Sequence, residues 1–214
     1  MERFAIQKND FLSHDCTGYF HLYYVGYGQP GNPDYLNTLK NIFVSTHPDT
    51  LRAASSQAAT LMIQDIPQVM DAEGLDTAIL MAVPRSKSGM CNWQLGFKAA
   101  VRTTVKALQA DGLSVIDGTD FIFRHTSTKM THLRKPVSNF ENTGSEPYPG
   151  ITKDTCDIQN EYIKGRTVIL IDDIYTKTVN VDEDCIQALY DAGAARVVFY
   201  AVAYTNRNAY KRGA

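Results

Sequence analysis

Thr167-Val168-Ile169-Leu170-Ile171-Asp172-Asp173-Ile174-Tyr175-Thr176-Lys177-Thr178-Val179-Asn180 is the stretch around which the chain is arranged. Its first five residues are all β-branched or Leu, with no polar alternation. That predicts a short strand, 167–171, buried on both faces and central in a parallel sheet. Asp172 and Asp173 then fall at the carboxyl edge, where open α/β sheets place their ligands. A turn of small hydroxylated residues follows, and then a helix predicted over 181–192 from the spacing of Val181, Cys185, Ile186, Ala188, Leu189 and Ala192. Gly193 ends it. A strand-to-helix turn aims several free backbone N–H groups at one point, which makes it a ready cradle for phosphate. The paired acids beside it suit ribose hydroxyls or a hydrated Mg²⁺. Phosphate, sugar and metal together describe a phosphorylated pentose. A second reading of the same residues makes Asn180 the helix N-cap, with Glu183 completing a capping box and Asp182 and Asp184 complementing the helix dipole. Those three acids would oppose a bound phosphate dianion.

Outward from this stretch, residues 77–83, 113–117 and 197–204 read as further strands, with a shorter one at 121–123. They alternate with helices at 50–70 and 92–110, whose apolar residues recur at helical spacing. The fold class that follows is α/β, a parallel sheet joined by right-handed crossovers and flanked by helices. Residues 1–50 read as a small N-terminal arm or hood, with an aromatic strand around 19–27 and a short helix starting at Asn32 or Asp34. Residues 51–214 form the core, and within it the polar segment from about 124 to 160 is a long lid loop.

Pro84 ends the 77–83 strand, and Arg85-Ser86-Lys87-Ser88-Gly89 follows at its carboxyl edge. Arg binds two oxygens at once and Lys adds a point charge. Next to the acid-pair loop, this turn reads as a pyrophosphate site.

Composition excludes several classes. The chain has 214 residues, is 44% hydrophobic and 21% charged, and carries a formal charge of -2, so bulk electrostatics give no reason for a nucleic-acid or membrane partner. A local basic groove stays open. No apolar run approaches the roughly 18 residues of a membrane span, and the first residues lack a signal peptide's apolar region. Cys16, Cys91, Cys156 and Cys185 lie far apart, which argues against a zinc knuckle and for reduced thiols in a cytoplasmic protein.

The 167–180 stretch resembles the phosphoribosyl pyrophosphate (PRPP) signature of type I phosphoribosyltransferases: an apolar run, two acids, a variable pair, and a loop of the Thr-Thr-Gly-x-Thr type. Asp172, Asp173, Ile174 and Thr176 fit it. Lys177 stands where Thr or Ser is usual, Thr178 where the pattern has glycine, and Asn180 where it has Thr or Ser. A β-branched Thr178 resists the positive φ that glycine supplies. The order of parts over residues 20–205 is similar to the competence protein ComF group. It runs from Leu39-Lys40 and the Leu51 helix to Val83-Pro84 with its basic turn, then Arg124-x-x-x-Thr128 leading to Leu133, then the PRPP loop. That group's N-terminal zinc-binding cysteine cluster is absent here, and of its element after the basic turn only Leu95-Gly96-Phe97 remains.

The resemblance implies an enzyme that binds PRPP with Mg²⁺ and transfers phosphoribose to a nitrogen acceptor, releasing pyrophosphate. It implies Asp172 and Asp173 on the ribose and, through water, on the metal; Thr176, Lys177, Thr178, Val179 and Asn180 around the 5′-phosphate; and Arg85, Ser86 and Lys87 around pyrophosphate. Lys129, Arg134 or Lys135 of the lid would cover the leaving group, Lys129 being read as catalytic. A homodimer, the fold's usual habit, or a place in a larger complex is expected. Two alternatives stand beside this reading: a non-catalytic sensor or scaffold that keeps the phosphate loop, and an interaction protein of a multi-component, nucleic-acid-associated assembly that uses the aromatic arm.

Overall fold

The computed structural model describes residues 1–26, 29–40, 47–90, 95–130, 141–146 and 152–206. In chain order these form β1 (Glu2–Ile6), β2 (Cys16–Tyr24), α1 (Asp34–Leu39), α2 (Pro48–Glu73), β3 (Ala78–Ala82), α3 (Gly96–Ala110), β4 (Val115–Asp117) and β5 (Ile122–Arg124). There follow α4 (Thr152–Thr155), β6 (Cys156–Ile158), α5 (Asn160–Ile163), β7 (Thr167–Tyr175), α6 (Val181–Asp191) and β8 (Arg196–Thr205). Six strands make one sheet in the order β1-β2-β8-β7-β3-β4, parallel except for the β1–β2 pair, while β5 and β6 pair antiparallel on their own. This is the expected α/β architecture.

Alternation along the central strands explains why they are apolar throughout. In β7, Ile169 and Ile171 face the core built with α1, α2 and α3, whereas Val168 and Leu170 face the core built with α5, α6 and Leu12. Helices cover the sheet on both faces, so neither face tolerates a polar residue. Gly193 closes α6 as expected. It sits at φ 92°, its N–H donates to Tyr190 O, and Ala194 N–H donates to Leu189 O, which satisfies the last carbonyls of the helix.

The decisive strand runs further than its apolar run implies. β3 stops pairing at Ala82↔Ile171, with Val83 N–H on Ile171 O at 2.9 Å as the last rung. On the other edge β8 continues, pairing Asp172↔Ala201, Ile174↔Ala203 and Tyr175↔Tyr204. The acids therefore stand on a ladder bonded along one edge only, at a step in the sheet. Similarly, the segment expected to be one long loop carries regular elements at its far end, where α4 and β6 hold the buried Thr155 and Cys156. The N-terminal segment supplies two strands to the main sheet, and Tyr19 and Phe20 of β2 are buried in it.

Candidate functional site

The chain leaves β3 through α3 to β4 on one side, and leaves β7 through α6 to β8 on the other. The loops after β3 and β7 thus diverge, and the sheet has its topological switch point between their carboxyl ends, where such folds hold ligands. A pocket of about 160 Å³ lies there. Its charged lining is Arg85, Lys87, Lys98, Arg124, Asp172 and Asp173, and its apolar wall includes Phe97, Ile122 and Phe123.

Each cation is held by a different part of the fold. Arg85 donates from Nη1 to Leu39 O (3.2 Å) and from Nη2 to Lys40 O (3.3 Å), tying the end of α1 to the basic turn. Lys87 Nζ donates to Thr128 O at 2.9 Å and to Thr143 O, and burial holds its pKa below the ordinary value. Neither Arg85 nor Lys87 has a carboxylate partner among the described residues, so neither is neutralised by an acid there. Ser86 contributes backbone: its carbonyl accepts from Thr128 N–H at 2.7 Å, while Ser88 bonds Ser127 through N–H and hydroxyl. Arg124 donates to Arg85 O (2.5 Å) and Thr155 Oγ1 (2.6 Å), and Lys98 pairs with Asp120 at 2.6 Å.

The acids form a connected buried group. Burial, reinforced by the charge of Asp173, pushes Asp172 up to about 7. Burial, with the Asp172 charge beside it, holds Asp182 well above the ordinary carboxylate range. The two carboxyls are hydrogen-bonded to each other. Glu183 accepts from the Tyr175 hydroxyl at 2.8 Å, and Asp184 accepts from the backbone N–H and the hydroxyl of Thr152. All three first-turn acids of α6 are buried. The anticipated repulsion of a phosphate dianion is thereby reduced, since burial and the neighbouring acids favour the neutral form of Asp182. Asp182 Oδ1 and Glu183 Oε2 nevertheless have no partner among the described residues.

The capping box does not form. Asn180 is left-handed, at φ 56° and ψ 15°, with no side-chain cap bond, and its Oδ1 instead accepts from Asn9 Nδ2 at 3.1 Å. Glu183 is committed to Tyr175, so it cannot reach back to Asn180. The positive φ of the loop falls on Asn180, a residue type that tolerates it, and Thr178 is spared that strain. Thr176 Oγ1 bonds Thr205 Oγ1 at 2.7 Å, Val179 N–H closes a turn onto Thr176 O, and Lys177 and Thr178 are exposed.

The structure therefore brings Arg85, Lys87, Asp172 and Asp173 to one pocket. The 176–180 loop sits at the end of the same strand without lining it, and Ser86 does not line it either. Lys129 pairs with Glu146 and does not line the pocket, and Arg134 and Lys135 lie outside the described residues. Lys98 and Lys40 were not legible as site residues. Lys98 had one local signal, its place in the first turn of the helix after the basic turn. Lys40, 3.9 Å from Asp173, had none, because the contact joins residues far apart in the chain.

No protein-family profile matches the sequence, and no curated protein matches it. Solved structures overlap it loosely. A structure of the allosteric regulatory enzyme of purine biosynthesis is 12% identical at a TM-score of 0.37, covering 70% of this chain and 26% of that one, so the chain spans about a quarter of that enzyme. An asparagine mutant from the analysis of an invariant aspartic acid in HPRTs is 12% identical at 0.34, covering 73% and 76%. The Trypanosoma cruzi hypoxanthine phosphoribosyl transferase is 12% identical at 0.33, covering 77% and 80%. At this identity and these scores the overlaps do not assign a family.

Proposed function

We propose that the chain is a phosphoribosyltransferase-like protein that binds PRPP, or another phosphorylated ribose, and transfers 5-phosphoribose to a nitrogen acceptor with release of pyrophosphate. One observation carries this: two carboxylates and two cations that lack carboxylate partners among the described residues converge on one pocket at the switch point of a parallel sheet. In this reading Asp172 and Asp173 accept from the ribose hydroxyls. Arg85 and Lys87, with Lys98 and Arg124 beside them, neutralise pyrophosphate as it leaves C1 with the bonding electron pair. The acceptor nitrogen then forms its bond to C1 and sheds its proton. Little side-chain chemistry is needed beyond positioning, neutralising the leaving group and excluding water. The 176–180 loop would hold the 5′-phosphate with its backbone N–H groups and Thr176. Lys129 would reach pyrophosphate only by giving up Glu146, so contact with the leaving group is assigned to Arg85 and Lys87. Kinship with the ComF group rests on the order of motifs alone.

Among the described residues no three His, Cys, Asp or Glu side chains converge to hold a metal ion. The donor chemistry still fits Mg²⁺ brought in on the ligand, because Asp172 and Asp173 offer hard oxygens and Mg²⁺ keeps several waters and phosphate oxygens. When bound, the ion would supply charge neutralisation at the pyrophosphate oxygens.

Calorimetric titration with PRPP and Mg²⁺, beside the Asp172→Ala/Asp173→Ala double variant, tests the site. Micromolar binding lost in the variant is expected, and no binding to a folded wild type would refute it. Asp172→Asn and Lys87→Ala should each abolish pyrophosphate release; unchanged turnover in both would remove the transferase reading. A second reading, a sensor that binds without reacting, is favoured by the contacts of the ligand-free chain: Asp172 is already bonded to Asp182, and Lys87 is already held by Thr128 and Thr143. Tight binding of PRPP with no turnover of any nitrogen acceptor would select it.

A further inference from the structure

Lys40 follows α1 directly and reaches the acid pair from a different part of the chain than the basic turn. Its Nζ lies 3.9 Å from Asp173 Oδ1 and 5.6 Å from the centre of the Tyr24 ring. The lysine side chain is 27% exposed and the aspartate 12%, so the pair is largely withdrawn from water. The root of the side chain is fixed as well. Lys40 N–H donates to Leu36 O, Leu39 is buried, and Arg85 holds the carbonyls of both Leu39 and Lys40. Asp173 is the one carboxylate paired with Lys40 among the described residues.

An ammonium at this place does for the acid pair what a divalent cation would do, and two cations cannot share Asp173 without strong mutual repulsion. The four-carbon stem of lysine is flexible while its root is pinned beside Arg85, so a displaced ammonium stays near the phosphate-binding cations. Resting on the reading given under Proposed function, we infer that Lys40 is a stand-in cation: it neutralises Asp173 in the ligand-free protein, yields that place to the divalent cation accompanying a phosphorylated ribose, and then donates to a phosphate oxygen of that ligand. The consequence is selectivity. Lys40 opposes the bare metal and favours the metal–phosphate complex, so its removal moves the two affinities in opposite directions.

The test is calorimetry with Mn²⁺ alone and with Mn²⁺ plus PRPP, on wild type, Lys40→Met and Lys40→Arg, with overlaid melting curves establishing that each variant is folded. Lys40→Met should bind Mn²⁺ alone about tenfold more tightly and the Mn²⁺–PRPP complex about tenfold more weakly, while Lys40→Arg stays near wild type for both. Equal affinities, or shifts of the same sign, overturn the inference. If Lys40→Met fails to fold, Lys40→Gln is measured in its place against the same two outcomes. A wild type that binds no PRPP overturns the functional reading separately. The Mn²⁺ arm then decides the stand-in alone: tighter binding in Lys40→Met sustains it, and unchanged binding sinks it.

Discussion

At the scale of the residue, Asp182 has the largest consequence for stability. It is 4% exposed, bonded to Asp172, and held well above its ordinary range by burial. A carboxyl raised in this way keeps its proton in the folded chain at pH values where the unfolded chain has released it. The contribution of this pair to stability is therefore fully present below the ordinary value of 3.8 and is lost as pH climbs through the folded values, which for Asp172 means toward about 7. Asp182→Asn keeps a donor for Asp172 and removes one of the two titrating groups. The variant should match wild type near pH 4 and be more stable by roughly 1–2 kcal/mol at pH 8. Chemical denaturation at the two pH values measures this, and superimposed curves at pH 8 would mean that Asp182 ionises without cost.

At the scale of the element, the β1–β2 ribbon is locked by one aromatic ring. Phe4 is paired with Gly18, and a Cβ on Gly18 would meet two Phe4 ring carbons at 2.6 Å. That ring also packs against Tyr175, Phe199 and Tyr204, with centroids 5.0, 6.4 and 5.1 Å away, so it cannot swing clear without disturbing strands β7 and β8. Gly18→Ala should cost about 1–3 kcal/mol in urea denaturation. A loss below a few tenths would show that the ring adapts freely. Elsewhere an element overrides its local signals. α2 continues through Pro67, which lacks the N–H for the helix ladder, because Ile66, Val69 and Met70 are all buried against the sheet and extend the packed face to the end of the helix.

At the scale of the whole molecule, the sheet joins the two ends of the described chain. β2 lies parallel to β8 over seven register pairs from Thr17↔Val198 to Tyr24↔Thr205, and Tyr19 and Phe20 are each 3% exposed. The aromatics of residues 19–24 are thus largely spent on packing, and Tyr23, at 38%, is the large one left at the surface. Deletion of residues 1–24 would bare the β8 edge together with that core, and an open apolar edge templates aggregation. The truncated chain should be insoluble or lack a cooperative melt. A soluble, cooperatively melting truncation would show that these strands are an appendage to an independent core.

Much of this arrangement was legible along the chain. Unbroken apolar runs at 77–83, 167–171 and 197–204 required strands covered on both faces, and a strand of that kind ends at an edge where Asp172, Asp173 and the Arg85–Lys87 turn had to emerge. Periodicity and turn chemistry are local, so they survive in one dimension. Other features depend on neighbours far away in sequence and had no local trace. These are the extension of β7 along β8 to Tyr175, the left-handed Asn180 held by Asn9, the inward turn of Asp182 onto Asp172, and the approach of Lys40 to Asp173. Each is set by which strand ends first and by which charge is buried beside which, and only the packed chain decides that.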